Sequence, residues 1–190
     1  GVKEGIIRYL LARGVEVTRV PWDYDFNTLE FDALMLSNGP GDPEDCAVTI
    51  ENIKTFLAKG EDKPLLGLGL GNQLLALAAG AEVLKHKYGH RGATQPVQIV
   101  GGERCYITAQ NHGYVVDGTT LPAEWKEWFV NMNDRTNEGI RHAEKPWMAV
   151  QFIPEMNCGQ AGSPTNHEGS WGASKDSEFV FDNFFQLLNK

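Results

Sequence analysis

Lys63-Pro64-Leu65-Leu66-Gly67-Leu68-Gly69-Leu70-Gly71-Asn72-Gln73-Leu74-Leu75-Ala76-Leu77-Ala78-Ala79-Gly80 reads as a strand, a sharp turn and a helix. Pro64 to Leu68 is a short apolar run, as a strand buried on both faces requires. Gln73 to Ala79 is rich in Leu and Ala, and Gly80 stands where a helix would end. Between them, Gly67-Leu68-Gly69-Leu70-Gly71 has the spacing of a nucleophile elbow. In such a turn a strained backbone holds one side chain above the sheet, and the next backbone N–H faces an oxyanion. The nucleophile position is Gly69, which has no side chain, so this stretch alone reads equally as a plain glycine-rich turn.

Working outward toward the N-terminus, Ile6, Ile7, Leu10 and Leu11 share one helical face that ends at Gly14. Val15-Glu16-Val17-Thr18 alternates as a strand, and Ala33-Leu34-Met35-Leu36 is a second, continuous apolar strand. The latter runs into Ser37-Asn38-Gly39-Pro40-Gly41-Asp42-Pro43. A loop this dense in Gly, Pro, Asn and Asp fixes tight turns and bares backbone N–H groups, which suits an anion or simply a strand-to-helix connection. Ile50, Ile53 and Leu57 then mark an amphipathic helix closed at Gly60. This alternation of strand and helix predicts a mostly parallel sheet flanked by helices.

Toward the C-terminus the pattern changes. Residues 94–100, 104–109, 114–117, 128–133, 139–142 and 147–152 read as short strands, several of them antiparallel. Phe181, Phe184, Phe185 and Leu188 give a last helix one apolar face. Between Glu155 and Glu178 there is no apolar period, which predicts a surface loop. With no internal repeat and no composition break, residues 1–190 read as one domain.

The chain of 190 residues is 42% hydrophobic and 22% charged, enough to bury roughly 70% of its unfolded surface. A formal charge of −8, with Lys and Arg scattered, argues against nucleic acid as a partner. No apolar run is long enough to span a membrane. Cys46, Cys105 and Cys158 have no paired spacing, and an odd count fits reduced thiols in the cytoplasm or mitochondrial matrix. No cofactor motif occurs. His112 and His142 have no metal-ligand spacing with a third residue, so no metal is expected.

Several ordered motifs agree with one family. They are Gly1-Val2-Lys3, Val20-Pro21-Trp22-Asp23-Tyr24-Asp25, the loop 37–43, Gln110-Asn111-His112-Gly113-Tyr114, Asn137-Glu138-Gly139-Ile140-Arg141-His142 and Ala149-Val150-Gln151-Phe152. Together they resemble the class I (triad) glutamine amidotransferase domain of carbamoyl-phosphate synthetase, in its small or glutaminase subunit. The resemblance spans nearly the whole chain and implies a flavodoxin-like α/β fold. It also implies a glutaminase in which a cysteine attacks the glutamine amide, a histidine acts as base and a glutamate orients it. By that pattern the cysteine position is Gly69 and the histidine position is Ile153, in Gln151-Phe152-Ile153-Pro154-Glu155. Only Glu155 remains of the triad, and Asn72 replaces a further histidine.

The resemblance implies that the binding half of the site persists. Backbone N–H groups of Gly41 and Leu70 would form the oxyanion hole beside Gly39, Gln73 would contact glutamine, and Gln110, Asn111, Gly113 and Tyr114 would hold its amino-acid end. The family places a strand immediately before the equivalent of Gly1, and a whole N-terminal domain before that, so a gap in the sheet is expected here. Residues 161–174, carrying Trp171, look inserted within a loop spanning 156–175. Three functions follow as expectations. One is a silent amidotransferase-like domain that stabilises or regulates a synthetase subunit or domain. Another is a structural subunit of an unrelated large assembly, and the last is a glutaminase with a displaced nucleophile such as Cys158.

Overall fold

The computed structural model describes residues 1–154, 177 and 179–188. Its elements are α1 (Glu4–Leu11), β1 (Leu34–Leu36), α2 (Ala47–Lys59), β2 (Leu65–Leu68), α3 (Leu70–Ala79), β3 (Val83–Ile99), β4 (Cys105–Val116), β5 (Trp125–Asn131), β6 (Asn137–His142), β7 (Trp147–Val150) and α4 (Phe179–Leu188). Seven strands form one sheet in the order β1-β2-β7-β6-β5-β3-β4. Pairing is parallel between β1 and β2 and between β2 and β7, and antiparallel in the rest. The sheet is thus mixed and flanked by helices, with its parallel part confined to three strands.

Alternation along β2 distributes its side chains to two cores. Leu66 and Leu68 join Ile6, Leu10, Met148, Val150, Phe152, Phe181 and Phe184 on the face covered by α1 and α4. Leu65 joins Ile53, Phe56, Leu75, Ala76, Ile140 and Trp147 on the face covered by α2 and α3. All four β2 residues are buried, as its continuous apolar run requires. Gly60 and Gly80 cap α2 and α3 with φ of 64° and 101°, a region glycine enters without the steric cost other residues meet.

Three expectations change. Residues 15–18 are not a strand; Val15 and Val17 instead pack partly buried against the first core, while β1 is left as a sheet edge. Extended backbone becomes a strand only where a neighbour accepts its hydrogen bonds. The segments 104–109 and 114–117 belong to one strand, β4. Its partner β3 begins eleven residues earlier than the predicted strand at Thr94 and carries register shifts between Lys85 and His90 and between Gly92 and Gln95. The predicted loop, with its 161–174 insertion, Cys158 and Trp171, lies outside the described residues.

Candidate functional site

The turn between β2 and α3 is built by close approach. Gly67 N-terminal to it would, with a Cβ, meet Ala149 Cβ at 2.8 Å, and Gly71 would meet the Leu36 carbonyl carbon at 2.7 Å. Glycine at both positions therefore lets α3 start against β1 and β7. Gly69 itself has φ 54° and ψ −108°, a conformation that costs about 1–3 kcal/mol in any residue with a side chain. Its N–H donates to Val150 O at 2.9 Å, fixing the elbow to the end of β7.

Asn38 fills the space in front of the elbow. A Cβ on residue 69 would lie 2.5 Å from Asn38 Cγ and 2.9 Å from Asn38 Nδ2. The Asn38 carboxamide oxygen accepts from Leu70 N–H at 3.0 Å and from Gly39 N–H at 2.9 Å. One backbone donor expected to face a substrate oxygen is thus bonded to a side chain of the same fold. Sequence reasoning placed Asn38 only as a turn former; its position before Gly39 was the available signal.

Around this plug lies a cleft of about 300 Å³ bounded by residues 38–41, Gly69, Leu70, Gln73, Lys85, Arg91, residues 111–114 and Gln151. Of the residues expected to bind, Gly39, Gly41, Leu70, Gln73, Asn111, Gly113 and Tyr114 are brought together at its wall. Gln110 is turned into the protein at 2% exposure, where its Nε2 donates to Thr108 Oγ1 at 3.1 Å. Gln73 is also buried, and its Nε2 donates to Tyr114 O and to Gln151 Oε1, each at 3.1 Å. Asn72 Nδ2 donates to the same Gln151 oxygen at 3.2 Å. Asn72 Oδ1 and Gln151 Nε2 are buried with no hydrogen-bond partner among the described residues. Lys85 and Arg91, which the sequence reading did not single out, give this wall its positive charge.

Tyr114 OH donates to Asp42 Oδ2 at 2.6 Å, closing the 37–43 loop over the cleft. That bond, with the Glu44 N–H, holds the Asp42 carboxyl below its ordinary range, and it raises the Tyr114 phenol above its own. Ile153, at the position expected for the base, is 8% exposed, and its N–H donates to Ala109 O at 2.8 Å. Glu155 lies outside the described residues. No cysteine among the described residues lines the cleft; Cys46 is half-buried and Cys105 exposed.

At the cleft wall and behind it, three strands bring His112, which lines the cleft, together with His90 and Glu138, their ligand-type atoms all within 4.8 Å of one another. His90 Nδ1 is 2.9 Å from Glu138 Oε1, and its Nε2 is 2.8 Å from Asp134 Oδ2. The hydrogen bond to Glu138, then that to Asp134, raises the His90 pKa to about 9 against the pull of burial. Burial, and then the neighbouring His90 charge, lowers that of His112 to about 4. The His112 ring lies 2.9 Å from Tyr114 O through Nδ1 and 3.0 Å from Gln110 Oε1 through Nε2. The grouping escaped the sequence reading because its members are about 20 to 50 positions apart and meet only through sheet pairing. His142 accepts from the N–H groups of Glu144 and Lys145 at 3.1 and 2.9 Å and packs edge-on against Trp125 and Trp147.

Residues 1–168 match the family model described as glutamine amidotransferase class-I. The chain is 45% identical over all its length to mouse carbamoyl-phosphate synthase [ammonia], mitochondrial, of which it covers 12%. It is 46% identical to the Neurospora crassa multifunctional protein pyr-3, covering 10% of it. Over 84% of the chain it is 51% identical to the multifunctional protein CAD of Squalus acanthias, covering 7%. The chain thus spans an eighth or less of these relatives. Among solved structures, a Thermoplasma acidophilum protein assigned to GMP synthase superposes with a TM-score of 0.76 at 24% identity, covering 98% of this chain and 87% of that one. A glutamine amido transferase of Methylobacillus flagellatus gives 0.63 at 14% identity, covering 97% and 84%. At these identities the two structures speak for the fold alone.

Proposed function

This chain belongs to the class-I glutamine amidotransferase family, in the branch formed by the glutaminase region of carbamoyl-phosphate synthases, and from that premise we propose that it does not hydrolyse glutamine. The observation that carries the reading is the pair Gly69 and Ile153: the elbow position has no side chain, and Ile153 is aliphatic and buried. The Asn38 carboxamide oxygen also accepts from Leu70 N–H, as a substrate carbonyl would, beside a position with no nucleophile. Acyl transfer needs nucleophile, base and oxyanion donors together. Removing a triad nucleophile or base costs on the order of 10⁶ in turnover, and removing both costs little more.

The role that remains is to stabilise or regulate a synthetase domain. The relatives are large proteins in which this region is a small part, which supports a partner in the same chain or complex. It also supports an intracellular site, in mitochondria or cytosol. No helix among the described residues is long and apolar enough to cross a membrane. The cleft keeps Lys85, Arg91, Asn111 and Tyr114 at its wall, and this supports residual binding of an amino acid such as glutamine without turnover.

Affinity capture of the native protein with mass spectrometry, paired with an ammonia-release assay on the recovered complex, tests this reading. A carbamoyl-phosphate synthase partner without glutamine hydrolysis is expected. Capture of an unrelated assembly would give the domain a purely structural role. Ammonia release that tracks this chain would overturn the proposal in favour of a displaced nucleophile.

A further inference from the structure

We propose that His90, His112 and Glu138 form a site for a divalent cation of the zinc class, tying β3, β4 and β6 together at the inner wall of the cleft. Independently of what the cleft does, the donor set and its surroundings carry this. Two imidazoles and one carboxylate are a recurrent zinc set, and mixed N and O donors favour such a cation over magnesium or calcium. All three side chains are within 8% of full burial, so water competes weakly.

The outer partners are those that ligating histidines have. His90 turns Nδ1 toward Glu138 and Nε2 toward the Asp134 carboxylate, 2.8 Å away. His112 turns Nδ1 toward Tyr114 O at 2.9 Å. That carbonyl can only accept, so Nδ1 carries the proton, and in the neutral ring Nε2 presents a lone pair. The lone pair faces two further electron-rich atoms, Gln110 Oε1 at 3.0 Å and Glu138 Oε1 at 3.9 Å. Gln110 cannot turn its amide nitrogen there without losing Thr108 Oγ1, whose own proton goes to Gln95 O. In this tautomer, those atoms oppose one another unless a cation lies between them.

The carboxylate supplies a second, separate observation. Glu138 is fully buried, its Oε1 is held by His90 and by Asn131 Nδ2 at 3.1 Å, and its Oε2 has no hydrogen-bond partner among the described residues. An orphaned buried carboxylate oxygen is costly. A cation resolves both problems at once: it accepts the His112 lone pair and the Glu138 oxygens, and the proton between His90 and Glu138 is released. Gln110 Oε1 is near enough to furnish a fourth donor.

The test uses the full chain stripped with a chelator and titrated with Zn²⁺ and with Co²⁺. One Zn²⁺ per chain with release of protons is expected. The Co²⁺ form should show four-coordinate visible bands without a thiolate charge-transfer band. Asp134→Asn, which touches the three proposed ligands only through the far nitrogen of His90, should weaken binding about 10–100-fold, and Glu138→Gln and His112→Asn by more. His86→Asn, at the outer side of Asp134, should leave it unchanged. The Co²⁺ spectrum of the unmutated chain needs no variant to fold. Absence of stoichiometric binding, a thiolate band, or binding that survives Glu138→Gln and His112→Asn would overturn the proposal.

Discussion

The carboxamide oxygen of Asn38 lies 3.0 Å from the backbone nitrogen of Leu70, so the N–H that follows the elbow is already bonded from within the chain. A ligand that needs this donor must displace a side chain first. Asn38→Ala should therefore tighten glutamine binding about 2–10-fold, the equivalent of one neutral hydrogen bond of about 0.5–1.5 kcal/mol. Titration calorimetry or ligand-observed NMR would read this, and equal affinity in the two proteins would show that the ligand does not use Leu70 N–H.

Gly69 and Asn38 also compete for space. Gly69→Ala imposes an unfavourable backbone, at about 1–3 kcal/mol, and drives a methyl group against the Asn38 carboxamide. In the Asn38→Gly background only the backbone cost remains. A double-mutant cycle by urea unfolding should give a coupling energy of about 0.5–3 kcal/mol; strict additivity would mean that Asn38 swings away freely.

Restoring chemistry requires more than a thiol. Gly69→Cys alone should release no ammonia above background, because Ile153 supplies no base, and Ile153→His alone has no nucleophile to serve. The two substitutions together should produce measurable glutaminase activity, with Asn38 displaced by the new side chain. Activity in either single variant would show that the groups do not act as a unit.

How far the sequence revealed this follows from where each signal is local. The strand-turn-helix at 63–80 was legible because a buried strand, a helix and its glycine stop each leave a mark within a few residues. The strand at 15–18 was not: Val15 and Val17 alternate correctly, but a strand also needs a neighbour, and none among the described residues pairs with them. The long β3 was missed because Lys85, His86, Lys87 and Tyr88 are polar or exposed on an open ribbon, where no buried face imposes alternation. Family motifs located Gly69 and Ile153, yet what Asn38 does depends on its rotamer relative to a turn 31 residues away. The same holds for His90, His112 and Glu138, whose meeting is a property of strand order.

The Asp42–Tyr114 bond gives the loop over the cleft a defined pH window. Asp42 is depressed by the Tyr114 hydroxyl and then by Glu44 N–H, so its contribution is present above the ordinary carboxylate pKa and lost as pH falls through the depressed one. Tyr114 is raised, foremost by donating to Asp42. Its neutral form is the bonded one, so that contribution is present below the ordinary phenol pKa and lost as pH rises through the raised value. The loop tie is therefore intact across the neutral range and opens at both extremes. In an alkaline titration of phenolate absorbance, one of the five tyrosines should ionise late. Tyr114→Phe should delete that late step, and Asp42→Asn should return it toward the ordinary range. A late step that persists in Tyr114→Phe would assign it to another tyrosine and leave the loop without this tie.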